Sequence, residues 1–230
     1  MNRSTTIAWT LLALTAPAAS AQQLTLVGAD ETPITESAVD GLSEDFVRDR
    51  LSAAHELSFR MEGEVERLEL EIAEAKAAVE VKKSEIDILN TRKDLADDQD
   101  RDAEKRALER EKDHEEAVKK LLERTVELRE RELEWARARR ETAEAAAAVH
   151  ERELELVQAR EEMDNADVRT TTMERALRVE REILSVEREL MESMRDRAGK
   201  SRNEADKERR YYEAQLRVLD ARRDLSDVER

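Results

Sequence analysis

From Val65 to Leu89, apolar residues recur alternately three and four positions apart: Val65, Leu68, Ile72, Ala75, Val79, Ile86 and Leu89. This is the a/d seam of a heptad repeat, the pattern of a helix that buries a narrow stripe against another helix. Only Lys82 interrupts it, and the flanking Glu, Lys and Ala residues favour helix and stay in water. Upstream, Ser43 predicts an N-cap, with Glu44 and Asp45 in the first turn, where acids suit the helix dipole. Phe46, Leu51, Ala54, Leu57 and Met61 lead into the seam. Gly63 lies inside it as a tolerated weak point, costing about 1 kcal/mol relative to alanine.

The pattern fades from Asn90. Lys93 and Asp100 fall on seam positions, and Asp94, Asp97, Asp98, Asp100 and Asp102 crowd one short span. Aspartate is a poor interior helix residue because it competes for backbone hydrogen bonds. The 94–102 segment therefore reads as a break, either a turn or a polar, frayed piece of one long helix. The lack of Gly and Pro favours the frayed helix. The heptad resumes with Ala107, His114, Leu121, Leu128, Trp135, Thr142, Val149, Leu156 and Met163. Its second row alternates Ala117, Ala138, Ala145 and Ala159 with Arg110, Arg124, Arg131 and Arg152, whose stems can lie along a seam. Ala143 to Ala148, interrupted only by Glu144, predicts a slim stretch where helices approach closely. Glu115 with Lys119, Glu116 with Lys120, and Glu127 with Arg131 predict i,i+4 pairs within the helix.

A stronger break covers 164–172. Asp164-Asn165-Ala166-Asp167 and Thr170-Thr171-Thr172 are poor helix material, and Thr171-x-x-Glu174 is a capping box just before Ala176-Leu177. The last stripe runs Leu177, Leu184, Met191, Ala198, Ala205, Tyr212 and Leu219, joined by Ile183, Leu190, Tyr211, Val218 and Leu225. Gly199 reads as a soft spot within it, because the phase crosses unshifted. Seam residues from Leu51 through Val79, Leu121 and Leu177 to Leu219 are all separated by multiples of seven. One continuous helix must keep such a phase, and a turn need not. The capping evidence at 164–172 is local and has a mechanism, so it carries more weight. The predicted fold is all-α, with long coiled-coil helices folded back at least once into an antiparallel helical hairpin or bundle. The alternative is a rod of about 280 Å at 1.5 Å per residue.

Composition supports helices over a globular core: 43% of residues are charged, 3% are aromatic, and no proline follows Pro33. Met1–Ala21 reads as a cleavable signal peptide: Arg3, an apolar run from Ile7 to Ala16, the breaker Pro17, and Ala19-Ser20-Ala21 as the cleavage site. Residues 22–42 form a predicted flexible leader with Gly28, Pro33 and Gly41. The helical body spans 43–230. The chain has no cysteine, so no lipid-attachment site, disulfide or thiolate site exists. Without a second long apolar run, no stable membrane span is expected after cleavage. Export places the protein in the periplasm or outside the cell. The net charge of −16 becomes −17 once residues 1–21, carrying Arg3 and no acid, are removed. That charge argues against nucleic acid as a partner.

Candidate chemistry is sparse. Glu111-x-x-His114 matches half of a di-iron carboxylate signature, but neither His55 nor His150 has a Glu three residues before it. His114 is read as a polar seam residue. Asp98-x-Asp100-x-Asp102 with Glu109 has the spacing of an EF-hand loop. Ala103, however, stands where the sharp turn needs Gly, and Lys105 stands where an apolar residue is usual. Trp135 beside Arg131, Arg137, Arg139 and Arg140, and the Tyr211-Tyr212 pair, read as seam packing. No phosphate loop, nucleophile elbow or His/Cys cluster is present. The chain is therefore expected to be no enzyme, with no catalytic, cofactor-binding or metal-binding residues. The expected role is a structural, scaffolding or protein-interaction coiled coil of the bacterial cell envelope that self-associates through its helices. A periplasmic holdase and a helical-hairpin accessory of an efflux or secretion conduit are the alternatives.

Overall fold

The computed structural model describes residues 43–165 and 173–228. The predicted signal peptide at 1–21, the leader at 22–42 and the capping box begun by Thr171 lie outside the described residues. Three helices account for the rest: α1 (Glu44–Asp98), α2 (Asp102–Asn165) and α3 (Met173–Val228). The body is all-α, and α1 and α3 each pack along α2 but not on each other.

The start of α1 follows from its cap. Ser43 is extended, with φ −82° and ψ 149°, and its Oγ accepts from the Phe46 amide at 3.3 Å. The helix then runs unbroken through Gly63. Val65, Leu68, Ile72, Val79, Ile86 and Leu89 are buried as the heptad requires. At the N-terminal end the buried residue is Val47, fully enclosed, whereas Phe46 is 51% exposed and stacks beneath Arg50. Phe46 stands one position off the stripe, which on a helix is a rotation of about 100°.

The 94–102 segment holds a turn at 99–101, between the end of α1 and the start of α2, contrary to the frayed continuous helix. Asp100 adopts a left-handed φ of 54°. The Asp100 amide donates to the Asp97 carbonyl at 3.0 Å, and the Arg101 amide donates to the Ala96 carbonyl at 2.9 Å. These are the two bonds of a Schellman motif, with Asp100 at the position glycine usually holds. Aspartate is one of the few side chains that tolerates this conformation, so no glycine was needed.

Cross-helix ion pairs record the register. On the α1 side, Arg50 meets Glu153 at 3.6 Å, Arg137 meets Glu69 at 2.6 Å, Lys76 meets Glu130 at 2.8 Å and Lys105 meets Asp97 at 2.6 Å. On the α3 side, Arg152 meets Glu189 at 3.2 Å, Lys200 meets Glu141 at 3.0 Å, Lys207 meets Glu134 at 3.0 Å, and Lys120 meets Asp224. Numbers rise along one helix as they fall along its neighbour, so both contacts are antiparallel. Several residues expected to pair within α2 pair across instead. Glu115 takes Lys82 of α1 at 2.6 Å, Lys120 takes Asp224 of α3, and Glu127 takes Arg217 of α3 besides Arg124 of its own helix. A helix flanked on both sides offers its charges partners on its neighbours as well as on its own next turn, as Lys119 with Glu123 still shows.

The central helix carries two stripes. Leu108, Leu122, Val126, Leu133, Ala136, Ala143, Ala147, His150, Leu154 and Val157 are buried or half-buried towards α1, and Leu133 and Ala136 pack against Val65 and Leu68. Leu121, Leu128, Trp135, Ala138, Thr142, Ala145, Val149 and Leu156 form the other, towards α3. The two stripes are two residues out of phase, which on a heptad wheel separates them by about 150°. Placed almost on opposite sides of α2, α1 and α3 cannot meet, and the body is an open layer, not a closed bundle. The heptad phase shared along the chain therefore does not report a continuous helix. In α1 it marks the face against α2, and in α2 it marks the face against α3.

Candidate functional site

Among the described residues, no three of His, Asp and Glu converge as metal ligands, and no helix is long and apolar enough to cross a membrane. Glu111 is exposed, and His114 is half-buried, with Nδ1 3.7 Å from Glu115. The aspartates of the EF-hand-like spacing are drawn into the α1–α2 turn. Asp98 ends α1, Asp100 holds the left-handed corner, Asp102 opens α2, and Lys105 occupies the neighbouring Asp97 carboxylate. Glu109 faces Lys93 at 4.0 Å. The turn aims an ammonium group at this acidic patch, the opposite of what a cation site requires.

Trp135 joins Tyr211 and Tyr212 across the α2–α3 interface. It stacks on Tyr211 at 5.3 Å between ring centroids and lies 6.5 Å from Tyr212, and Arg139 sits over its ring at 5.4 Å. Sequence reading named both partners as packing residues without bringing them together. Burial raises the Tyr211 hydroxyl above its ordinary value, and Gln215 donates to that hydroxyl at 2.7 Å. A crevice of about 200 Å³ nearby is lined by Glu127, Arg131, Arg210, Glu213, Ala214 and Arg217. With charged walls and a single alanine, it lacks the apolar lining that holds small molecules.

One buried ionisable cluster escaped the sequence reading. His150 and Glu153 are buried on α2, with His150 Nδ1 2.7 Å from Glu153 Oε2 and Arg50 of α1 at 3.6 Å from the same oxygen. Burial pushes the Glu153 carboxyl up, but the His150 hydrogen bond and the charges of Arg50, His150 and Arg197 outweigh it, and it lies below the ordinary range. Arg50, Glu153 and Arg197 come from all three helices, so the cluster ties both edges to the centre. The available signal was the i,i+3 spacing of His150 and Glu153, with His150 on the α1-facing stripe.

The largest departure from expectation lies on α3. Ile183, Leu190, Tyr211, Val218 and Leu225 face α2, but the leading stripe of Leu177, Leu184, Met191, Tyr212 and Leu219 is about half exposed. Two adjacent heptad rows are apolar, and only one of them can point at α2. On the far side of the layer, α1 likewise exposes Leu70, Val81, Ile88 and Leu95. These two outer faces, not a pocket, are the candidate functional surfaces. No family model matches the chain, and no curated protein or solved structure is significantly similar to it.

Proposed function

We propose that the protein is an exported, non-enzymatic coiled-coil scaffold of the bacterial cell envelope that works by presenting long helical faces to protein partners, including further copies of itself. The observation that carries this reading is the pair of apolar rows left exposed on the outer faces of α1 and α3. A row seven residues apart on a helix already packed by its other face suits a further helix. The segment 1–21 supports export, and the density of cross-helix ion pairs suits a rigid spacer. Cross-linking in intact cells, followed by recovery of the tagged chain, tests the role. Envelope proteins linked through α1 or α3 are expected. Recovery of the full-length chain with its first 21 residues uncleaved, linked only to cytosolic proteins, would overturn it.

A periplasmic holdase is the second reading, favoured by Leu184, Met191, Tyr212 and Leu219 standing exposed along one helix. Suppression of aggregation of an unfolded client at equimolar ratio tests it, and failure to suppress removes it.

A further inference from the structure

The outer faces of α1 and α3 differ in charge as well as position. On α3 the outermost heptad row is Arg181, Arg188, Arg195, Arg202 and Arg209, and it borders the exposed row of Leu184, Met191, Ala198, Ala205 and Tyr212. On α1 the outward row of Leu70, Ala77, Ser84 and Thr91 stands beside Val81, Ile88 and Leu95, and is bordered by Glu66, Glu80, Asp87 and Asp94. Among the described residues, more than half of the charges have an ion-pair partner across a helix or along it. Arg188 and Arg195 on one edge, and Asp87 and Asp94 on the other, are exposed and make no side-chain ion pair. Arg209 is neutralised by Asp206 and Glu213, and Arg67 lies further up the α1 face, so the contrast is confined to two stretches. The α3 edge is apolar and basic over 181–195, with Glu192 alone against it, and the α1 edge is apolar and acidic over 77–95.

We infer that the α3 face of one copy docks on the α1 face of a second copy. This rests on the self-association reading and names its surfaces. Contact between two α3 faces would set arginine rows together, and contact between two α1 faces would set acid rows together. Only the unlike contact pairs opposite charges along two apolar rows. The faces sit about 150° apart on α2, so one chain cannot satisfy both from within. The contact is heterologous, and each bound copy still offers one face of each kind. Assembly therefore continues until a ring closes or a filament forms. Axial register adds a stagger. Ile88 lies level with α2 residues between Glu109 and Glu115, and Met191 lies near Arg152. Aligning the two rows shifts successive copies by about 60 Å, from roughly 40 residues at 1.5 Å each.

Paired charge reversals test the proposal on the full processed chain. One variant carries Arg188→Glu and Arg195→Glu, and the other carries Asp87→Arg and Asp94→Arg. All four sites are exposed, and Trp135 fluorescence with circular dichroism verifies that each variant folds. In sedimentation, the wild type is expected to assemble. Each variant alone should need roughly 10-fold more protein to do so. Their equimolar mixture should recover wild-type assembly, because it recreates an acidic row facing a basic one. In this cysteine-free chain, Ile88→Cys mixed with Met191→Cys should yield a disulfide-linked pair. If the wild type assembles but the α1 variant assembles equally well, or the mixture fails to recover, the proposed contact is wrong and self-association uses another surface. A wild type that stays monomeric throughout overturns both the contact and the self-association beneath it.

Discussion

Asp100 holds a left-handed backbone conformation in which most side chains meet the following carbonyl, a strain of about 1–2 kcal/mol that aspartate partly escapes. Asp100→Gly should therefore raise stability by about 0.5 kcal/mol, and Asp100→Val should lower it by about 1–2 kcal/mol, in urea titrations. Glu153 is the most buried of three carboxyls, with Glu127 and Glu134, that are held below their ordinary value and through which pH acts. Its folded value lies below the ordinary 4.5, so its contribution is complete above that pH and is lost as pH falls through the folded value. Glu153→Gln should reduce this acid limb, leaving the part due to Glu127 and Glu134, and cost about 2 kcal/mol at neutral pH, because Arg50 and His150 lose their charged partner. Thermal melts at pH 7 and pH 3.5 measure both effects. Neither site was legible in sequence. The Schellman corner was hidden because Asp took the place of Gly, and the His150–Glu153 pair because an i,i+3 His/Glu spacing is not distinctive in a helix this rich in Glu.

Among the elements, α1 was readable almost residue by residue because it has a single partner and a single stripe. The middle helix was half readable. The leading row of its α3-facing stripe is mostly apolar, broken by His114 and Thr142, whereas its α1-facing stripe interleaves Leu and Ala with Lys105, Lys112, Glu115, Lys119, Arg129 and Arg140. Those long side chains cover apolar surface while carrying charge to water or to a partner, which erases the periodic signal. In α3 the periodicity was correct and the choice of row was not, since Ile183 and Leu184, or Tyr211 and Tyr212, are neighbours with equal claim. The exposed face was thus visible in the sequence as a stripe, but it was assigned to the interior. Both helical glycines sit where an added methyl group would meet nothing within 4 Å. Gly63→Ala and Gly199→Ala should each stabilise by about 0.5–1 kcal/mol. They lie on different helices and should add within about 0.5 kcal/mol, as chemical denaturation of the double variant would show.

At the scale of the helical body, the fold-back sets the length. The longest helix, α2, has 64 residues and spans about 96 Å at 1.5 Å each. Small-angle scattering at dilution should give a helical body about 100 Å long, and a particle near 280 Å would mean an unfolded-back rod. The absence of contact between α1 and α3 has a further consequence. A closed bundle fails all at once, because every helix supports every other. Here each edge helix is held through one neighbour alone, so the molecule behaves as a short linear series of coupled units. Peeling away α1 costs only its own interface and leaves the other hairpin standing, and the same holds for α3. A layer built this way can trade one edge for a competing helix without dissolving, so the topology itself permits exchange at either edge.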